Sequence, residues 1–213
     1  MSLFALCTDR NRRVLVFGGQ GALGAGSDAI EPEHLLLAIV RDADTPWPEG
    51  KADEPLPLVE PVSIAARALE LLGIPLDALG ESPADALGPV PPLGRAANRI
   101  VRYEAVLAKR AGDNYLSTGH QLLALYDDRR SAPRRILEEL GVADRDVLAA
   151  AVREADTGRE QRLREVARLA ARNPQVHEGV VTLASGTTKP AGFVRRRIER
   201  QLAELAELSH RRD

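Results

Sequence analysis

Apolar positions along this chain recur with a helical period, and the recurrence is itself duplicated. Pro32-Glu33-His34-Leu35-Leu36-Leu37-Ala38-Ile39 returns as Thr118-Gly119-His120-Gln121-Leu122-Leu123-Ala124-Leu125, 86 positions later. Ala68-Leu69-Glu70-Leu71-Leu72-Gly73-Ile74 returns as Ile136-Leu137-Glu138-Glu139-Leu140-Gly141-Val142, 68 positions later. Two blocks returning in the same order mean one supersecondary unit used twice. Thr8-Asp9 reads as a helix start, with a capping hydroxyl followed by an acid in the first turn. Glu31-Pro32-Glu33 starts a second helix whose stripe is Leu35, Leu36, Ile39 and Val40. Ser63 to Leu72 reads as a helix stopped by Gly73, and Leu76 to Leu79 as a short helical turn. Pro89-Val90-Pro91-Pro92 links the copies. Ala96–Arg110, Gly119–Asp127, Pro133–Leu140 and Asp144–Glu154 follow as helices. The pattern predicts an all-α body over 1–155, built as two four-helix repeats, about 1–88 and 89–155, related by an approximate two-fold axis.

The two spacings differ by about 18 residues, so the first copy carries an insertion of that size. It falls at 42–61, where five prolines and six acidic residues exclude a regular helix or a central strand. An exposed loop is expected there, with Trp47 as its one aromatic anchor. After residue 155 the pattern changes. A helical C-terminal extension is predicted over 156–213, first charged with a thin stripe of Leu163, Val166 and Leu169. Later Val194, Ile198, Leu202, Leu205 and Leu208 follow at spacings of 4, 4, 3 and 3. Such a narrow seam docks on the body or pairs with another chain, so self-association through 193–208 stays open.

Composition narrows the classes. The formal net charge of the 213 residues is -2, which gives no electrostatic footprint for nucleic acid. No apolar run approaches membrane-spanning length and no signal segment opens the chain, so a cytoplasmic protein is expected. The single Cys7 makes no internal disulfide or cysteine-rich metal site, and reads as a small buried apolar residue. No cofactor or metal is implied. Aromatic residues make up 3% of the chain, so Leu, Val, Ile and Ala must build the core.

One motif points elsewhere. Gly19-x-Gly21-x-x-Gly24 follows the apolar run Val14-Leu15-Val16-Phe17, as in the phosphate-cradling turn of a dinucleotide fold. A nucleotide-binding enzyme is the alternative this raises. The β-α-β alternation that such a fold requires does not follow, and the same stretch aligns with the helical Ile100–Ala111 of the second copy. Each glycine inside a helix costs roughly 1 kcal/mol relative to Ala, so a first helix that is locally weak or broken is expected.

Thr8-Asp9-Arg10-Asn11-Arg12-Arg13-Val14, followed by Glu33-His34-Leu35-Leu36-Leu37-Ala38-Ile39, resembles the N-terminal repeat domain of the Clp ATPases, above all the ClpC type. Asp113-Asn114-Tyr115-Leu116-Ser117-Thr118-Gly119-His120-Gln121-Leu122-Leu123 resembles that domain's second repeat. The resemblance covers about residues 3–154. It implies an eight-helix pseudo-two-fold module that docks adaptors and receives substrates. In the ClpC type it also implies binding of phosphorylated arginine, with a motif acid on the guanidinium and a helix-starting Thr beside the phosphate. Here the first repeat keeps Thr8 and Glu33, whereas the second has Gly94 and Gly119 at those positions. The resemblance thus implies one surviving site, ligand-binding through Thr8 and Glu33. As residues alone, Thr8 is equally a plain cap and Glu33 a first-turn acid. His34 and His120 read as packed structural histidines.

No G-x-x-x-x-G-K-[ST] loop and no nucleophile elbow occurs in the sequence, so neither ATP hydrolysis nor peptidase activity is expected. The function implied is a non-catalytic protein-binding module. It would bind peptides, adaptors or modified substrates, arginine-phosphorylated ones among them, as an adaptor, regulator or decoy beside Clp ATPase or protease subunits. A purely structural helical protein with a dead groove is the other alternative.

Overall fold

The computed structural model describes residues 6–45, 58, 60–80 and 88–164. The described residues are helical: α1 (Asp9–Gly24), α2 (Pro32–Asp44), α3 (Ile64–Leu71), a 3-10 turn (Leu76–Leu79), α4 (Arg95–Ala111), α5 (Thr118–Asp127), α6 (Ala132–Glu139) and α7 (Arg145–Ala155). The starts are set by side chains that the sequence offers for this purpose. Thr8 accepts from the Asn11 N–H, Ser63 from Ala66, Ser117 from His120 and Asp144 from Asp146. Gly112 ends α4 in the left-handed region, at φ 76°, where a Cβ would be strained.

The two repeats are joined by an exchange. Thr8 N–H donates to the Leu116 carbonyl and Leu116 N–H to the Leu6 carbonyl, both at 2.7 Å. Ile30 N–H donates to the Pro92 carbonyl at 2.8 Å and Gly94 N–H to the Ile30 carbonyl at 2.9 Å. The resulting parallel bridges are Cys7–Leu116 and Ile30–Leu93. Leu93 stands 86 positions after Cys7, and Leu116 stands 86 after Ile30. Each bridge is therefore the two-fold image of the other. The lead-in of each repeat's first helix pairs with the lead-in of the other repeat's second helix. Helix contacts cross in the same sense, with α3 on α5 and α6 on α2. One apolar core follows, running through Leu35, Leu36, Ile39, Leu69, Ile100, Leu122 and Leu125 of both repeats.

The glycines of α1 are a packing device. α1 is continuous from Asp9 to Gly24, so the first helix is not broken at its glycines. Val14–Phe17 is helical and no phosphate-cradling turn forms, which removes the basis of the nucleotide alternative. A Cβ on Gly18 would lie 2.9 Å from Leu35 Cδ2, and one on Gly19 would lie 2.4 Å from Val90 Cγ1. Close approach of α2 and of the inter-repeat linker recovers what helix propensity loses.

The ends of the insertion are also part of the body. Asp42, Leu58 and Glu60 are buried, contrary to the expectation of an exposed loop from 42 to 61. Residues 46–57 and 59, and with them Trp47, lie outside the described residues. Asp42, in the last turn of α2, lies under two arginines of α1, Arg10 Nη1 at 2.9 Å and Arg13 Nε at 2.5 Å. The second repeat has a matching pair, Arg99 with Asp128 at 2.5 Å, each member 86 positions on. Glu60 also aligns with Asp128, through the 68-residue spacing of the third helices. One acid in the second repeat thus closes α5 and leads into α6. The insertion splits that position in the first repeat into Asp42 and Glu60.

The segment after α7 docks on the second repeat. Arg159 Nε meets Asp113 Oδ1 at 2.7 Å, the Tyr115 hydroxyl donates to Asp156 Oδ2 at 2.7 Å, and Arg162 pairs with Asp156. Leu163 packs with Leu58 and Tyr115. Residues 165–213, which include the 193–208 seam, lie outside the described residues.

Two outcomes follow. Gly19→Ala should destabilise the fold by about 1–3 kcal/mol through overpacking on Val90, although helix propensity alone favours Ala by roughly 1 kcal/mol. Urea denaturation checks the sign, and a stabilised variant would contradict the packing account. Glu104 supplies the second. It is 1% exposed, and Asn11 Nδ2 donates to its Oε2 at 3.3 Å. Burial pushes its carboxyl up from 4.5 to about 8. A raised carboxyl pKa favours the neutral folded form, so this contribution is full below pH 4.5 and is lost as pH rises through about 8. The slope is about 1.4 kcal/mol per pH unit at most. Glu104→Gln should flatten the stability profile across that window and exceed the parent above it. Denaturation midpoints over a pH series would show this, and a parallel profile would refute it.

Candidate functional site

The crossed lead-ins create two junctions between the repeats. The first gathers the starts of α1, α3 and α5, and the second gathers the starts of α2 and α4. Thr8 belongs to the first. It is fully buried, accepts from the Asn11 N–H at 3.2 Å and donates its hydroxyl to Glu60 Oε2 at 2.6 Å. Glu33 belongs to the second. It lies in the first turn of α2, is half-buried, and its side chain has no hydrogen bond or ion pair among the described residues.

The structure does not bring Thr8 and Glu33 together. α1 and α2 run antiparallel, with Arg10 and Arg13 against Asp42 at one end and Gly18 against Leu35 at the other. Thr8 stands ten positions before Gly18, roughly 15 Å along the helix at 1.5 Å per residue. Reading the pair along one repeat misplaced it, because the two-fold exchange puts Thr8 opposite Gly119 and Glu33 opposite Gly94.

Packing accounts for both glycines. A Cβ on Gly119 would lie 2.7 Å from Ile64 Cγ2 and 2.7 Å from Val152 Cγ1, so α3 and α7 occupy the space an acid would need. A Cβ on Gly94 would lie 2.2 Å from Glu31 Oε1. The Glu31 carboxylate therefore fills the place of a threonine side chain at the start of α4. Each junction retains one of the two residue types that the resemblance implies.

The histidines serve the helix starts. His34 Nδ1 accepts from the Glu31 N–H at 2.9 Å, and His120 Nδ1 accepts from the Ser117 N–H at 3.2 Å. An accepting Nδ1 places the ring proton on Nε2, and in His120 that atom faces Asp113 Oδ2 at 3.2 Å. Cys7 is enclosed, and burial pushes its thiol upward, which disfavours a thiolate nucleophile. Among the described residues no group of three or more His, Cys, Asp and Glu is placed to hold a metal ion.

Sequence reasoning missed Glu60 and Thr118. Glu60 Oε1 accepts from the Ile64 N–H at 2.8 Å and from the Thr118 hydroxyl, and Oε2 accepts from the Thr118 N–H at 3.2 Å. Burial raises its carboxyl, opposed by these hydrogen bonds. A signal existed: acid-x-x-Ser precedes the third helix of both repeats, as Glu60-x-x-Ser63 and Asp128-x-x-Ser131.

No family model matches the chain. Over 151 residues it is 26% identical to the chaperone protein ClpB of Oceanobacillus iheyensis, and over 147 residues 26% identical to ClpC/MecB of Bacillus subtilis, a negative regulator of genetic competence. Each match takes in 66% of this chain and 16% of the relative, so the chain spans about a sixth of the length of these proteins. It is 30% identical over 129 residues to an uncharacterized protein of Mycobacterium tuberculosis, covering 58% of this chain and 44% of that protein. A solved structure, the N-terminal domain of the caseinolytic protease associated chaperone ClpD of Arabidopsis thaliana, is similar at 20% identity. That similarity covers 70% of this chain and 93% of the other, with a TM-score of 0.44. Over about two-thirds of its length the all-α chain is thus similar to ClpB and ClpC proteins, and its 213 residues contain no G-x-x-x-x-G-K-[ST] loop.

Proposed function

We propose that this chain is a non-catalytic protein-binding module that docks peptides, adaptors or modified substrates beside a Clp machine, as an adaptor, regulator or decoy of Clp proteolysis. The observation that carries this reading is the crossed double repeat in a chain two-thirds of which matches ClpB and ClpC proteins. A fold whose two halves share one core presents paired junctions, each flanked by helix starts, and these suit capture of a peptide or a side chain.

Arginine-phosphorylated substrates are the narrower part of the reading. Glu33 supports it, because a half-buried carboxylate at the start of α2 can accept two parallel bonds from a guanidinium. Thr8 supports it less, since its hydroxyl is spent on Glu60. The direct test adds purified full-length protein to a reconstituted Clp ATPase and peptidase and follows degradation of a model substrate. Biolayer interferometry then measures binding to the ATPase and to its adaptors. Saturable binding with a dose-dependent change in rate is expected, and neither binding nor any rate change would overturn the reading.

Thr8 and Glu33 give a finer prediction. Glu33→Ala should weaken binding of guanidinium-bearing peptides by about tenfold or more, because charge-assisted bonds run to about 1.5–3 kcal/mol, and should leave the melting temperature in place. Thr8→Ala should instead cost about 1–2 kcal/mol of stability, through the lost cap and the bond removed from Glu60, with affinity unchanged in the folded fraction. Calorimetric titration alongside thermal denaturation separates the two. Binding that follows Thr8 and ignores Glu33 would reverse the assignment.

A further inference from the structure

α4 divides cleanly into two faces. At 3.6 residues per turn, each residue advances about 100° around the helix. Ala97, Ile100, Val101, Glu104, Leu107 and Ala108 fall on one side, and all are buried. Arg95, Arg99, Arg102, Val106, Lys109 and Arg110 fall on the other, within an arc of about 100°. The outer stripe is therefore five cations and a valine, with no acid among them. Arg95, Arg99, Lys109 and Arg110 are exposed, and Val106 is 41% exposed. The stripe runs roughly 22 Å along the helix, at 1.5 Å per residue.

The two-fold relation shows that the fold does not require this stripe. The corresponding positions of α1 hold Asp9, Arg13, Val16, Gln20, Leu23 and Gly24, whose charges cancel. Like charges three and four positions apart repel, so the arrangement on α4 costs the helix stability. A solvated face ordinarily interleaves the two signs. The formal net charge of the chain is -2, so the excess of cations is local. The side chains of Arg95 and Lys109 have no hydrogen bond or ion pair among the described residues. The turn between α5 and α6 extends the basic surface. Arg99 Nη2 meets Asp128 Oδ2 at 2.5 Å, which sets the exposed Arg129 and Arg130 beside the stripe.

We propose that the outer face of α4, with Arg129 and Arg130 at its side, docks an acidic segment of a partner protein that brings an apolar residue to Val106. Four of the five cations on the helix are arginines, whose planar guanidinium groups take carboxylates through parallel pairs of bonds. Val106 lies in the middle of the arc, between Arg102 and Lys109 along the helix. The half-buried ring of Tyr103 borders it, held by Arg110, whose Nη1 donates to the Tyr103 hydroxyl at 3.3 Å. A phosphate backbone would use the cations but has nothing to place on that apolar spot. This surface lies on the opposite side of α4 from the core, and its chemistry does not depend on a Clp machine being the partner.

The test uses the full-length chain and a fluorescein-labelled peptide of about 16 residues, the length of the stripe as a helix, with Glu along one face and a central Leu. Counterpart peptides carry Gln for every Glu, or Ser for the Leu. A single-stranded oligonucleotide of similar length is the second probe. Fluorescence anisotropy should show saturable binding of the Glu–Leu peptide, weakened roughly tenfold between about 50 and about 200 mM salt. The Gln peptide should not bind, the Ser peptide should bind about threefold or more weakly, and the oligonucleotide should bind less tightly than the Glu–Leu peptide. Arg95→Gln with Lys109→Gln should weaken peptide binding about fivefold or more. Arg67→Gln with Arg153→Gln removes the same charge from exposed positions of α3 and α7, and should change binding by less than about twofold. All four substitutions are at exposed side chains, so the melting temperature should hold in both variants. The proposal is overturned by no binding of the Glu–Leu peptide, by equal losses in the two double variants, by indifference to the Leu-to-Ser change, or by tighter binding of the oligonucleotide.

Discussion

Four backbone hydrogen bonds organise this molecule. Thr8 and Leu116 on one side, and Ile30 and Gly94 on the other, tie each repeat's first lead-in to the other repeat's second. Everything at the centre inherits that arrangement. The bridges fix which helix starts face each other, and hence which side chains share a junction. They also force the third helix of each repeat across the divide, so that one core serves both halves. Neither repeat is a domain in the thermodynamic sense, because its own apolar face is completed by its twin.

On this symmetric frame the first junction has diverged. The insertion splits the job of one acid, Asp128 in the second repeat, into Asp42 and Glu60 in the first. Asp42 keeps the arginine partnership and Glu60 goes inward to the helix starts. The segment after α7 adds Tyr115–Asp156, Asp113–Arg159 and the Leu58–Tyr115–Leu163 contact over the same region. Asymmetry has therefore accumulated at one of two equivalent places.

The repeats, the helix starts and the all-α class were legible in the sequence because each is a local signal: a capping residue, an apolar period, a block that returns. The α1 glycines were ambiguous, since Gly19-x-Gly21-x-x-Gly24 describes close approach without saying to what. A phosphate and the side chain of Val90 make the same demand. Asp42 and Glu60 were read as solvated acids because their partners are distant in sequence. Thr8 lies 52 positions from Glu60 and Thr118 lies 58, and local composition carries no trace of either. The pairing of Thr8 with Glu33 failed for a topological reason. Alignment runs along a repeat, whereas the contacts run between repeats.

The crossed bridges also have a kinetic side. Leu6 and Leu116 meet across more than half of the chain, and so do Thr8 and Thr118 through Glu60. Closing loops of that length precedes the reward of the contacts they enclose, which slows folding. On the ribosome, the first repeat emerges with its lead-ins unpaired and part of its apolar face uncovered until α5 has been made. Its early partners during synthesis must therefore be transient ones, and the body completes itself only when the second copy arrives to serve as its template.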